Sequence, residues 1–175
     1  MVRNSPPEGG VAELSLRAAA RRAGVSTAAP YRHFADRDAL LSAVAAVGYR
    51  ELAEQMAAAH PAQATPEGLA AVANAYVRSA LTRPGMFRVM FAEPCDPTDP
   101  ERAAAAEAIN EYVESLVRQV FPDVDPEPMA IAVWALVHGL AFLHLDGKWD
   151  ASSPKVVTER VDSAVAAILE VAGRG

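Results

Sequence analysis

The chain has one cysteine, few aromatic residues and no long uninterrupted apolar run, and each scarcity removes a class of protein. Cys95 has no second cysteine to pair with, so there is no internal disulfide and no C-x-x-C spacing for zinc or thiol redox chemistry. A reducing compartment is expected. Aromatics are only 6% of 175 residues, and no segment alternates apolar and polar residues with β-branched enrichment over a strand's length. The first ten residues, MVRNSPPEGG, lack the apolar core of a signal peptide, and the longest apolar stretch, Met129 to Leu145, is interrupted by His138 and His144. A cytoplasmic protein with no membrane partner is the expectation, and repeats and low-complexity linkers are absent.

What is present is alanine, within a composition that is 51% hydrophobic. That is enough to bury a sizeable core in one or two packed domains, and the pattern predicts an all-α fold. The formal charge of -6 is unevenly spread. Residues 1–50 carry seven Arg against four Asp or Glu, a net +3, whereas residues 51–175 carry nine Lys or Arg against eighteen Asp or Glu, a net -9. A basic end on an acidic body binds a polyanion at one place and in one orientation.

Within the basic end, SLRAAARRA puts Leu16, Ala20 and Ala23 on one helical face, with Ser15 as N-cap. Gly24 stops that helix by taking the left-handed conformation, Val25 folds back on the last turn, and Ser26 opens a second helix predicted over Thr27 to Phe34. Pro30 lies near enough to its N-terminus to cost little. Asp36 then caps a long helix to about His60. Two helices joined by a tight glycine turn, the second small at its start and polar after it, form a helix-turn-helix that enters a major groove.

The run SLRAAARRAGVSTAAPYRHFADRDALLSAV resembles the DNA-binding segment of tetracycline-repressor (TetR) family regulators, with its Gly-Val-Ser turn, Tyr-x-His-Phe run and basic residue before the next helix. The resemblance implies that Thr27, Ala28 and Ala29 meet bases, that Tyr31, His33 and Arg37 meet phosphates, and that Arg17 and Arg32 are further contacts. It also implies a full helix ahead of Ser15. Here MVRNSPPEGGVAEL precedes it, and Pro6, Pro7, Gly9 and Gly10 forbid a stable helix of useful length. A truncated reading is the preferred explanation. The alternative is a helical ligand-binding or dimerising protein that has lost DNA binding.

Residues 1–55 are thus assigned to the DNA-binding head and 56–175 to a helical body. Further helices are predicted from Thr65-Pro66-Glu67 to Arg83, over Met86 to Phe91 after a Pro84-Gly85 break, from Asp99 to Phe121, from Pro128 to Leu145, and from Pro154 to Ala172. The helix MAIAVWALVHGLAFLHL is apolar nearly all round, and the last has a stripe of Val157, Val161, Val165, Ile168 and Val171. Such a pair either completes an internal core or packs against its copy as a four-helix interface. Trp134, His138 and Gly139 resemble the Trp-His-Gly C-terminal domain of one TetR branch, which implies a homodimer reading a palindromic operator, and a repressor released by a small apolar effector.

Tyr76, Met86, Phe87, Met90, Tyr112, Trp134, His138 and Phe142 are candidates for an apolar effector pocket, or are simply core. No cofactor is expected. His138 and His144 are six apart on one helix and point to different sides, so neither a metal cluster nor an enzyme is expected.

Overall fold

The structure is a computed structural model that describes residues 20–60, 65–93, 95–96 and 98–173. The expectations for Ser15, Leu16, Arg17 and the preceding segment lie outside the described residues. Every regular element among the described residues is helical. After a helical end at residues 20–22 and a 3-10 turn Pro30–Arg32 come α1 (Arg37–Ala59), α2 (Pro66–Thr82), α3 (Pro84–Phe91), α4 (Pro100–Val120), α5 (Pro126–Leu145) and α6 (Pro154–Ala172).

Proline and the residue before it set most of these starts. From α2 onward each helix begins with Pro at its first position, where the missing N–H is no loss. The Thr65 hydroxyl accepts from Gly68 N–H at 3.1 Å, Asp99 from Arg102 at 2.7 Å, and Asp36, ahead of α1, from Ala39 at 2.8 Å. Two predicted starts move for this reason. Pro84 opens α3 rather than breaking the chain before it, and α5 begins at Pro126, two residues before Pro128, with Asp125 accepting from Glu127 N–H at 3.3 Å.

The bundle is organised around α2, which packs against α1, α3, α5 and α6, while α1 also lies against α3 and α4. Leu69, Val72, Tyr76 and Val77 of α2 are buried with Leu52 of α1, Ile109 and Val117 of α4, Val137 of α5 and Val161 of α6. The predicted stripe on α6 divides. Val157, Val161 and Val165 are buried, Ile168 is half-buried, and Val171 is 74% exposed.

Helix α1 is gripped from Arg37 to Tyr49 by α3 and the loop after it. The Arg37 guanidinium donates to Glu93 at 3.1 Å, buried Ser42 accepts from Asp96 N–H at 2.9 Å, and the Tyr49 hydroxyl donates to the Met90 carbonyl at 2.7 Å. Immediately before Tyr49, Gly48 lets the helices touch: a Cβ there would lie 2.6 Å from Met90 Sδ and 2.9 Å from Met86 Sδ. Gly48→Val is expected to lower stability by about 1–3 kcal/mol through overpacking. Gly48→Ala should cost less, because alanine regains roughly 1 kcal/mol of helix propensity. Urea unfolding measures both, and an unchanged midpoint for the valine variant would show that the two thioethers swing aside freely.

Candidate nucleic-acid interface

The first turn of the motif forms as its glycine requires. Gly24 has φ of 70°, its N–H bonds the Arg21 carbonyl at 3.2 Å, and Val25 N–H reaches back to Ala20 at 3.0 Å. This pair of bonds caps the helical end at residues 20–22 and turns the chain outward.

The predicted helix over Thr27 to Phe34 is not a regular α-helix. Residues 27–29 form a turn, and only Pro30–Arg32 is helical, as 3-10. The reason lies in Pro30, whose missing N–H cannot reach the Ser26 carbonyl four residues back. Ala29 N–H takes that carbonyl instead at 3.0 Å, and the tighter spacing continues with Arg32 to Ala29 at 3.2 Å and His33 to Pro30 at 3.0 Å. The proline therefore costs more regularity than its position near the start suggested.

The short segment still presents the expected side chains. Thr27, Ala28, Tyr31, Arg32 and His33 are exposed, Ala29 is half-buried, and exposed Arg21 and Arg22 stand just before the glycine turn. From Arg21 to Ala35 the sequence carries no carboxylate. An exposed phenol, guanidinium and imidazole in succession can donate to phosphate oxygens, while Thr27 can reach a base edge.

Arg37 is placed differently from the rest. It is half-buried, donating to Glu93 and lying 3.6 Å from Asp38. The cation that the resemblance gives to phosphate thus also ties the first turn of α1 to the body. Nothing in the sequence near Arg37 signals this, since Glu93 is 56 residues away.

In the body, five of the eight candidate pocket residues form one ring cluster. Tyr76 has ring centroids of Phe87 and Trp134 at 5.5 Å and His138 at 6.3 Å, and Phe142 lies tilted at 5.6 Å from Phe87. Phe91, which was not among the candidates, completes it at 4.7 Å from Phe87 and 4.8 Å from His138. Met86 and Met90 are drawn away to Gly48. Tyr112 stands apart, its hydroxyl 3.4 Å from the Met56 carbonyl and its ring 5.9 Å from His60.

Only Tyr76 and Trp134 of the eight line the enclosed space at the centre, together with Met56, Leu69, Val113 and Val137. Its volume is about 20 Å³, the size of one water, so the cluster is packed core in this conformation. Beside it, between α4 and α5, a surface cleft of about 300 Å³ shares Val113 and Trp134 as its wall.

The one polar link in the cluster joins Tyr76 Oη to His138 Nδ1 at 2.8 Å. Burial, with a smaller contribution from Tyr49, pushes the Tyr76 phenol far above its usual range, and burial pulls the His138 imidazole down. Tyr76 therefore donates, and neutral His138 accepts on Nδ1 and keeps its proton on Nε2. Because the folded state holds a histidine pKa below its unfolded value of about 6.5, its stability contribution is complete above that pH and is lost as pH falls below it. The melting temperature is expected to drop on acidification through this window, and His138→Gln should flatten that part of the profile. Superimposable profiles would remove His138 as the cause.

His144 has other surroundings. It is buried, Nδ1 donates to the Leu140 carbonyl at 2.6 Å, and Nε2 accepts from Arg160 at 2.8 Å, while Arg160 lies 5.0 Å above the Trp149 ring. Among the described residues no group of three or more His, Cys, Asp or Glu is placed to hold a metal ion.

Helix α5 is long and apolar enough to cross a membrane by length and composition, and 28% of its most apolar stretch is buried within the bundle. Ile131, Ala132 and Ala135 are exposed along one face, Ile131 by 64%.

Comparison with known proteins gives these features a context. Residues 69–168 match the family described as Tetracyclin repressor-like, C-terminal domain, and residues 7–44 match Bacterial regulatory proteins, tetR family. The HTH-type transcriptional regulators Rv1816 of Mycobacterium tuberculosis and Mb1846 of Mycobacterium bovis are each 27% identical over 135 residues, which is 69% of this chain. The chain matches only 58% of the length of these relatives. Among solved structures, a protein of unknown function from Rhodococcus sp. RHA1 superposes with a TM-score of 0.73 at 31% identity, covering 96% of this chain and 87% of that one. A tetR-family bacterial regulatory protein from Rhodococcus RHA1, with TM-score 0.69, 20% identity and coverage of 89% and 86%, shares the fold.

Proposed function

We infer that this chain, which belongs to the TetR family of bacterial regulators by the match of its body over residues 69–168, is a DNA-binding transcriptional regulator. The observation that carries the reading is the exposed series Thr27, Ala28, Tyr31, Arg32 and His33, presented directly after the Gly24 turn in a stretch, residues 21–35, that carries no carboxylate. In this reading Thr27 and the small Ala28 and Ala29 face bases, and Tyr31, Arg32 and His33 face the backbone.

The functional unit is a cytoplasmic homodimer built on the exposed faces of α5 and α6, with two heads reading a palindromic operator. An apolar effector opens the space beside Tyr76 and Trp134, and the grip of α3 on α1 carries the change to the head. Repression relieved by that effector is the mode the architecture supports best.

The test is titration of labelled duplexes by anisotropy at several salt concentrations. Tyr31→Phe and Arg37→Ala should weaken binding to all sequences alike, and Arg37→Ala should also reduce the salt slope by about one. Thr27→Ala should instead relax base preference. A parallel melt separates the Arg37 effect on DNA from loss of its tie to Glu93. Equal loss of specificity in all three variants would overturn the assignment of roles, and failure of the unmodified chain to bind any duplex would favour a ligand-binding or dimerising module.

A further inference from the structure

Arg37 stands where two demands meet. The reading above gives it to a DNA phosphate, yet its guanidinium lies 3.1 Å from the Glu93 carboxylate and 3.6 Å from that of Asp38, so these three side chains together carry a net charge of -1. A phosphate that reaches this guanidinium meets more negative than positive charge for as long as both carboxylates stay in place. The two are held differently. Asp38 belongs to the first turn of α1 itself, and its side chain is 55% exposed. Glu93 belongs to the body: its side chain is 18% exposed, and its N–H bonds the Arg88 carbonyl at 3.1 Å where α3 ends. The other ion pairs at the ends of α3, Arg83 with Glu51 and Arg88 with Asp146, are more open to water on both sides. Of these contacts, Arg37 with Glu93 is the one that solvent and salt screen least.

We propose that Glu93 competes with DNA phosphate for Arg37, so that the end of α3 sets DNA affinity through where it holds this carboxylate. This rests on the DNA-binding reading above and names a residue of the body that regulates it. Helix α3 is placed for such a role. Met86 and Met90 lie against Gly48 of α1, while Phe87 and Phe91 enter the ring cluster, Phe91 at 4.8 Å from His138 and 6.1 Å from Trp134. Rings pushed toward α1 seat Glu93 on Arg37 and oppose DNA; rings that draw α3 away release Arg37 to phosphate. The bond from Asp96 N–H to Ser42 holds the same loop on α1 without a charge pair, so charge and mere attachment are separable by substitution.

Anisotropy titration of the full chain on two labelled duplexes of unrelated sequence, at low salt, tests the proposal. Glu93→Gln removes the charge but leaves an amide oxygen that can still accept from Arg37, and it should tighten binding to both duplexes by about three- to tenfold. Glu93→Ala should act in the same direction. In an Arg37→Ala background the gain from Glu93→Gln should shrink to less than about twofold, the signature of two residues that act as a pair. Ser42→Ala, which loosens the same loop without altering charge, should not reproduce the gain. If the native chain binds the duplexes and Glu93→Gln binds them equally or more weakly, the competition falls and the DNA-binding reading stands. A gain that persists undiminished without Arg37, or that Ser42→Ala reproduces, also overturns the competition, because repulsion at a distance or loss of attachment then accounts for it. No binding of either duplex by the native chain or by Glu93→Gln removes the DNA-binding reading itself, and the proposal with it.

Discussion

Phe87→Ala is expected to lower the unfolding free energy by about 3–5 kcal/mol, a large fraction of the 5–15 kcal/mol typical of a folded domain. Phe87 is 2% exposed and meets Tyr76, Phe91, His138 and Phe142 with ring centroids between 4.7 and 6.0 Å. Truncation removes the transfer free energy of the ring and leaves a cavity whose walls are other rings held by their own contacts. Tyr76 is additionally fixed by its bond to His138, so the site cannot collapse fully. Urea unfolding with an unchanged m-value measures the loss. A loss below about 1.5 kcal/mol would show that the rings repack readily. In that case the cluster is a plastic pocket held closed, and the larger set of candidate effector residues regains its standing.

The second large effect concerns assembly. If the chain works as the proposed homodimer, Ile131→Glu together with Val171→Glu should convert it to monomer and lower affinity for a two-half-site duplex by roughly 10²–10⁴-fold, because the second head no longer binds as part of the same particle. Both side chains are mostly exposed, at 64% and 74%, so neither change removes core from the single chain. The helical circular dichroism and the affinity for a single half-site should stay the same. Sedimentation velocity reads the mass and anisotropy reads the affinity. A double variant that remains dimeric would place the interface elsewhere on the body, and a monomer with undiminished affinity would remove the requirement for two heads.

Local chemistry was legible in the sequence, and long-range contact was not. Gly24 at positive φ, the Asp36, Thr65 and Asp99 caps and the Val157, Val161, Val165 face of α6 all follow from rules that span a few residues. The segment after Gly24 was legible in content and misread in form. Its side chains are exposed as a contact surface requires, but Pro30 withholds one N–H and turns the expected helix into 3-10 turns. Arg37 with Glu93 and Tyr76 with His138 join positions 56 and 62 residues apart, and no local pattern pairs them. The candidate pocket residues were left open between pocket and core for a related reason. Aromatic and methionine residues look alike in sequence whether they line a space or fill it, and here Met86 and Met90 fill the hollow left by a glycine on another helix.

The most direct measurement of the central claim is selection of bound duplexes from a pool of random sequence by the full chain, followed by sequencing of what is retained. The account predicts enrichment of a palindrome, with two equivalent half-sites whose centres lie about 34–36 Å apart or a multiple of that distance along the duplex. A pool that emerges unenriched, or that converges on a single unrepeated motif, would contradict it.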